Sequence, residues 1–283
     1  MIGRVETEGG EMTDQRNTGP ARMRESAGEH ARDAIKADTL TEKAYAALKD
    51  DIIRGRRRPL EKLRVEHLKR DYGVSGSTLR EALTMLIADR LVVFEGQRGF
   101  RVKPVSAEEL IDLNRIRILL EKEAIRQSIA QGDDEWEASV VSSFHMLVLA
   151  TKAFAENLED QSIFDEWERR HRAFHLSLIA AAPSEWLRHL VTLSYQQYER
   201  YRHLFLVVAK EFYKERDAEA EHAAILEAVL ARDADAAARL IEEHVTRSLE
   251  EWVGYFEKTG AFERAPAADR GKKAEINGRK IKA

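Results

Sequence analysis

Residues 71–86 read Asp71-Tyr72-Gly73-Val74-Ser75-Gly76-Ser77-Thr78-Leu79-Arg80-Glu81-Ala82-Leu83-Thr84-Met85-Leu86. Gly73 can take the left-handed conformation that stops a helix, Val74 can plug the corner between two helices, and Ser75 can cap the next one. Leu79, Ala82, Leu83 and Leu86 then fall at helical spacing on one apolar face, which leaves Ser77, Thr78, Arg80 and Glu81 near the other side of the first turn. A short amphipathic segment with Leu63, His67 and Leu68 precedes the corner. Two helices joined by such a corner form a helix-turn-helix, and the exposed first turn of its second helix is the part that meets base edges in a DNA groove.

Working outward, Leu91-Val92-Val93-Phe94 and Phe100-Arg101-Val102 are β-prone and flank Gly96-Gln97-Arg98-Gly99. The pattern predicts a hairpin whose tip carries one guanidinium, a wing suited to the DNA backbone or minor groove. On the N-terminal side, Thr41 is an N-cap candidate for a helix bearing Ala44, Tyr45, Leu48, Ile52 and Ile53 on one face, and Gly55 ends it. Charge agrees with this reading. The whole chain is at −4, yet residues 41–103 hold roughly 15 basic against 9 acidic side chains, about +6. Arg54, Arg56, Arg57 and Arg58, then Lys62, Arg64, Lys69 and Arg70, form the densest cluster; a solvated charge run is the alternative for each member. Arg54, Lys62, Ser75, Ser77, Thr78, Arg80 and Arg98 are the candidate DNA contacts.

Length and composition set the frame. A chain of 283 residues, 43% hydrophobic, can bury a small core and a larger one. No cysteine occurs, which removes disulfides and thiolate metal sites and fits a reducing cytoplasm. No segment reads as a membrane span, and the N-terminus, with Glu6, Glu8 and Glu11, does not read as a signal peptide. The expectation is therefore a cytoplasmic protein with no membrane partner.

Beyond Pro104 the pattern changes to long helices with no strand signal. Ser106 followed by Glu109 is a capping-box pattern opening a helix with Leu110, Leu113, Ile116, Leu120 and Ala124 to about residue 130, where Gly132-Asp133-Asp134 breaks it. Further helical runs cover about 136–154, 164–182 (stopped by Pro183), 186–213, 218–230 and 234–255, with Asp233 or Asp235 capping the last. The expected architecture is mainly α: a winged helix-turn-helix over 39–104, then an all-α helical bundle over 105–258. The N-terminal segment 1–38 and the basic tail 259–283 are expected to be disordered.

Nine histidines occur, and His171 and His175 lie four apart on one predicted helix, so their imidazoles share a side one turn apart, as two ligands of one metal would. His222 and His244 lie on two later helices. For any lone histidine the alternative is a surface or capping role, and His67, His145, His189 and His203 are read as structural. His171-Arg172-Ala173-Phe174-His175 also raises a metal-dependent hydrolase as an alternative. A zinc-peptidase helix needs Glu immediately after the first His, and Arg172 stands there.

Tyr45, Leu48, Ile52, Gly55, Pro59, Leu63, Leu68, Gly73-Val74-Ser75, Leu79-Arg80-Glu81-Ala82-Leu83, Leu91-Val92 and Gly99-Phe100-Arg101-Val102 together resemble the DNA-binding domain of GntR-type bacterial transcription regulators. Gly76 stands where that family usually has Arg and Thr78 where it usually has Pro, departures that bear on the operator sequence rather than the fold. From about Ser106 to Trp252 the chain resembles the FCD-type effector domain of the FadR branch. Many members of that branch bind a metal through an acidic residue, a His four positions on, and two later His. The matching positions are His171, His175, His222 and His244, with His171 replacing the usual Asp. An all-nitrogen donor set favours zinc, nickel or a similar divalent metal over magnesium or calcium.

The resemblance implies further that Arg117 matches a first-helix Arg reaching the effector cavity, where a guanidinium can clamp a carboxylate; its alternative is a surface pair with Glu121. Arg202, in the run Tyr195, Tyr198, Tyr201, is a weaker cavity candidate, and aromatics at that spacing are more often core or dimer contacts. Leu113 to Glu137 with Trp167-Glu168 and His171 to His175 looks most like the CsiR-type regulators, which respond to a short dicarboxylate. The implied function is a homodimeric, ligand-responsive regulator, most often a repressor, that binds a double-stranded operator and senses a small carboxylate.

Overall fold

The computed structural model describes residues 39–208 and 217–259. The segment 1–38, nearly all of the basic tail and the last residues of the run expected to reach 213 lie outside the described residues.

The N-terminal unit begins with α1 (39–53), α2 (Val65–Tyr72) and α3 (Gly76–Ala88), followed by β1 (Val92–Phe94) and β2 (Phe100–Val102). Thr41 lies inside α1 rather than capping it, and its hydroxyl donates to Glu81 of α3 over 2.9 Å. Gly55 and Gly73 both adopt positive φ, the first just beyond α1 and the second as the C-cap of α2. Ser75 accepts the backbone N–H of Thr78 over 3.2 Å, so the corner closes as its residue types dictate. The strands pair antiparallel with Val92 opposite Val102 and Phe94 opposite Phe100. Between them Gly96–Arg98 forms a 3-10 turn, not a two-residue hairpin turn. Ala44, Leu48, Ile52, Leu63, Leu68, Leu79, Leu83, Leu86, Leu91 and Val102 form one buried cluster under this unit.

The C-terminal unit contains α4 (Ala107–Gln131), α5 (Asp134–Glu156), α6 (Gln161–Leu178), α7 (Glu185–Val208), α8 (Ala218–Leu230) and α9 (Ala234–Thr259). Ser106 caps α4 through the N–H of Glu109 at 3.1 Å, and of the two candidates for α9 it is Asp233 that caps, accepting from Ala236 at 2.9 Å. Gly132 is required between α4 and α5, because a Cβ there would lie 2.0 Å from the Trp136 ring. In the bundle α4 packs on α9 and α7, α5 on α6 and α8, and α8 on α9.

One expectation is corrected. By length and composition α5 is long and apolar enough to cross a membrane. Asp133, Asp134 and Glu135 crowd its start, and Ser142, Ser143 and His145 interrupt the apolar run. In this fold Trp136, Val140, Leu147, Ala150 and Phe154 face the core, while Val141 and Leu149 are exposed.

The two units meet along α7. Gln197 donates to the Asp89 carbonyl over 2.6 Å, Arg200 donates to the carbonyl of Lys103, and Tyr201 donates to Glu109 over 2.9 Å. Arg54, just after α1, forms an ion pair with Asp165 of α6.

Candidate metal centre and DNA-contact surface

Helical periodicity places the four histidines. On α6, His171 and His175 follow Glu168 and Asp165 along one stripe, while α8 and α9 bring His222 and His244 against it. All four are buried, and one nitrogen from each lies within 4.8 Å of the others. Ring centroids are 4.5 Å apart for His171 and His175 and again for His222 and His244, and 5.2 Å for His175 and His244. Convergence, which spacing alone left open, is thus present in the fold.

The electrostatics of the four imidazoles and the groups that hold them suit metal binding. Burial, then the charge of Arg202 and the neighbouring imidazoles, holds His171 well below the usual imidazole range; burial, then His244, His222 and Arg117, does the same for His175. Neutral imidazole is the form a metal takes. Both ring nitrogens of His175 are buried with no hydrogen-bond partner, a state that a bound ion would relieve. The Nδ1 atoms of two others are engaged, His171 with the Tyr195 hydroxyl at 2.6 Å and His244 with the Glu221 carboxylate at 2.8 Å, contacts of the kind that orient a metal-ligating imidazole. Glu221 also pairs with Arg247 over 2.5 Å.

Beside the histidines, Arg117 is 2% exposed and donates from Nε to Glu121 over 2.6 Å. Its i,i+4 pair exists, yet it is buried rather than superficial, and Nη2 remains buried without a partner. The guanidinium stacks over Tyr195 and Tyr198, at 4.7 and 4.5 Å from the ring centroids. Arg202 is committed differently: its Nε and Nη2 both donate to Glu168, and Nη2 also donates to Tyr195 over 3.1 Å. It is a buried ion pair beside the site rather than an open clamp.

Sequence reasoning passed over Tyr195, Glu168, Glu199, His203 and Glu221. Tyr195 read as an aromatic core residue and His203 as structural. The available signal was their register: Tyr195, Glu199, Arg202 and His203 follow one face of α7, opposite Glu168 and His171 on α6. On that face burial and the Glu168 charge push the Glu199 carboxyl up to about 7.

On the N-terminal unit, Ser77 and Arg80 are exposed on the first turn of α3, and Arg80 reaches back to the Gly76 carbonyl at 3.4 Å. Arg98 is exposed at the wing tip, and Lys62 is exposed in the segment bridged to Arg101 of β2. Two candidates sit elsewhere. Thr78 is buried, its hydroxyl 2.9 Å from that of Ser75, because the cap draws it inward. Arg54 is held by Asp50 at 2.6 Å and by Asp165, so its charge is spent inside the protein. The same holds for its neighbours: Arg56 pairs with Asp50 and Asp51, and Arg57 with Asp71 and Glu61.

Comparison with known proteins agrees with this geometry. The profile for bacterial regulatory proteins of the gntR family matches residues 40–102, and the FCD domain profile matches residues 112–247. The chain is 41% identical over 211 residues to an uncharacterised HTH-type transcriptional regulator, BphR, of Paraburkholderia xenovorans, covering 75% of this chain and 84% of that one. It is 37% identical over 204 residues to the HTH-type transcriptional repressor GlaR of Escherichia coli, covering 71% and 90%. In fold it is similar to E. coli McbR/YncC, with a TM-score of 0.64 at 18% identity over 77% of this chain and 98% of the other. A GntR regulator from Rhodococcus gives 0.60 at 22% identity over 76% and 98%.

Arg172 follows His171, and it is turned toward Glu199 at 3.5 Å. The paired-histidine hydrolase alternative therefore lacks its base, and the relatives are regulators rather than enzymes. The chain belongs to the GntR family of DNA-binding transcription regulators, in the branch that carries an FCD domain.

Proposed function

We propose that residues 39–104 read an operator and that residues 105–258 sense a small carboxylate in the pocket around His171, His175, His222 and His244, in a cytoplasmic homodimer acting as a repressor. The observation that carries this is the convergence of four buried imidazoles beside Arg117, whose Nη2 is buried and unpaired. An all-imidazole donor set suits zinc or nickel, and such an ion would supply a Lewis-acidic centre for an anion. The four ligands bring no negative charge to offset the ion, while Arg117 and Arg202 are already offset by Glu121 and Glu168; a dianion such as a short dicarboxylate matches the ion's two positive charges best. Arg117 holds one carboxylate with its remaining N–H while Glu121 fixes its orientation.

On the other unit, Ser77 and Arg80 face base edges, and Arg98 and Lys62 contact the DNA backbone or minor groove. Ser75 holds the helix start by capping rather than by touching bases, and Thr78 supports it. Repression is supported by the likeness to GlaR of E. coli, a transcriptional repressor. A carboxylate acts only through its differential affinity for two arrangements of the bundle, and α7 joins both units: Tyr195 faces His171, and Gln197 and Arg200 hold Asp89 and Lys103.

The test is to measure bound zinc and nickel in purified protein, then to titrate C3 to C6 dicarboxylates against the protein on its own promoter fragment. Release of DNA by one of them, abolished in Arg117→Ala with metal content unchanged, is the expected result. DNA binding indifferent to every carboxylate, with metal present, would sink the sensing reading.

A further inference from the structure

A second group of donors lies on α6 and α7, nearer the start of α6 than His171 and toward the DNA-binding unit. Glu168 of α6 and Glu199 and His203 of α7 are buried, and one donor atom from each lies within 4.8 Å of the others. His203 is 1% exposed, and both of its ring nitrogens are buried with no hydrogen-bond partner; Nε2 stands 4.0 Å from Glu199 Oε1. Its ring is fixed edge-on against Phe164 at 5.0 Å. A buried imidazole with neither nitrogen met is costly unless something else meets it.

The charges lead to the same place. Two carboxylates this close in a low-dielectric interior repel, and one of them has to be neutralised. Arg202 neutralises Glu168 through two N–H groups. Two other cations face the group: Arg172 is 3.5 Å from Glu199 on a side chain that is one-third exposed, so solvent screens it, and Arg54 is already paired with Asp50 and Asp165. One positive charge is therefore missing beside Glu199, at the point where the two unmet nitrogens of His203 lie. We propose that Glu168, Glu199 and His203 form a second cation site in this chain, separate from the four histidines, which takes a divalent metal of borderline character through two carboxylates and one imidazole. Manganese and zinc both accept that donor set.

The site's position gives it a consequence. On one side Arg202 connects it through Tyr195 to His171; on the other, Asp165, one turn before Glu168, holds Arg54 of the DNA-binding unit. An ion there ties α6 to α7 directly beneath the clasp between the two units.

The experiment uses the full chain, stripped with chelator and dialysed, then titrated with zinc and separately with manganese. Metal per chain is counted by elemental analysis, and Mn²⁺ binding is followed by the loss of its free-ion EPR signal. Two zinc ions per chain are expected in the wild type, one in Glu199→Gln with His203→Leu, and one in His175→Ala with His244→Ala. Manganese binding is expected to survive the second pair of changes and to vanish with the first. A single equivalent in the wild type overturns the proposal, as does a second equivalent that persists in Glu199→Gln with His203→Leu. If that variant does not fold, shown by lost helical circular dichroism, the decision rests on the wild type and the His175→Ala with His244→Ala protein: anything other than two and one equivalents overturns it.

Discussion

Among the described residues, the DNA-binding unit and the helical bundle bury different materials. Under α1 to α3 the interior is Ala44, Leu48, Ile52, Leu79, Leu83, Leu86 and their neighbours, and Thr41 and Thr78 are its buried polar side chains apart from the Tyr72 hydroxyl. Inside the bundle the buried set includes four histidines around one point, the pair Arg117 and Glu121, and the group Glu168, Glu199, Arg202 and His203. Apolar burial stabilises outright, at about 25 cal/mol per Å² removed from water. Burying an ion pair roughly breaks even against an apolar replacement, and leaving one partner unpaired is strongly unfavourable. The contrast teaches that the smaller unit has an interior built for rigidity, whereas the bundle gives up stability along α6 and α7 to hold charge.

Side-chain deletion is the most direct way to break this contrast. Leu83 is fully buried in the smaller unit, and Leu83→Ala should cost roughly 2–5 kcal/mol through lost transfer energy and the cavity left behind. His175→Leu, in protein stripped of metal, should be close to neutral or raise the melting temperature, since an imidazole with two unmet nitrogens gives way to an apolar group. Calorimetric melts in chelator check both. A loss in His175→Leu as large as that in Leu83→Ala would erase the distinction. With zinc present the same variant should lose the metal-dependent rise in melting temperature that the wild type shows.

Next in size are the surface contacts of the rigid unit. Arg80→Ala should weaken specific operator binding by about 1–3 kcal/mol, on the order of 10- to 100-fold, and relax discrimination at one base pair. Lys62→Ala should weaken binding evenly across sequences and lower the salt slope by about 1. Arg54→Ala sharpens the point: tied to Asp50 and Asp165, it should leave the salt slope unchanged and loosen the union of the two units instead. Filter binding at several salt concentrations separates the three.

Much of this was legible in the sequence because the signals are local. Gly73, Ser75, Ser106 and Asp233 each fix a helix boundary through their own backbone or side chain, and a pattern such as Leu79, Ala82, Leu83, Leu86 needs only one helix to be read. The spacing of His171 and His175 put them on one face, and the family resemblance added His222 and His244. What stayed hidden depends on a partner elsewhere in the chain. Arg54 reads as free charge until Asp165, far along the chain, is brought to it. Thr78 reads as exposed until the Ser75 cap turns its hydroxyl inward. His203 reads as structural, and Glu199 carries no signal of its own, until α6 lays Glu168 beside them.

A smaller effect is expected where the two units touch. Gln197 makes one hydrogen bond, to the Asp89 carbonyl at the end of α3, worth about 0.5–1.5 kcal/mol. Gln197→Ala should leave bound metal unchanged and reduce by a few-fold the change in operator affinity that a carboxylate brings. An unaltered response would move the coupling to Arg200 and Arg54.

The smallest effect is also the one that tests the bundle's interior against itself, through pH. The folded-state pKa of His175 lies well below the ordinary 6.5, so the unfolded chain binds the extra proton; this stability is present above about pH 6.5 and is lost as pH falls below it. Glu199 has the opposite sign. Its folded pKa is raised from 4.5 to about 7, so its contribution is greatest below pH 4.5 and is lost as pH rises through 7. In chelator, melting temperatures of the wild type should therefore fall toward acid on account of the histidines and decline again toward pH 8 on account of Glu199. Glu199→Gln removes only the second slope and should be more stable than the wild type at pH 8, whereas a variant that loses stability equally at every pH would mean that the carboxylate is held by its contacts and not by a retained proton.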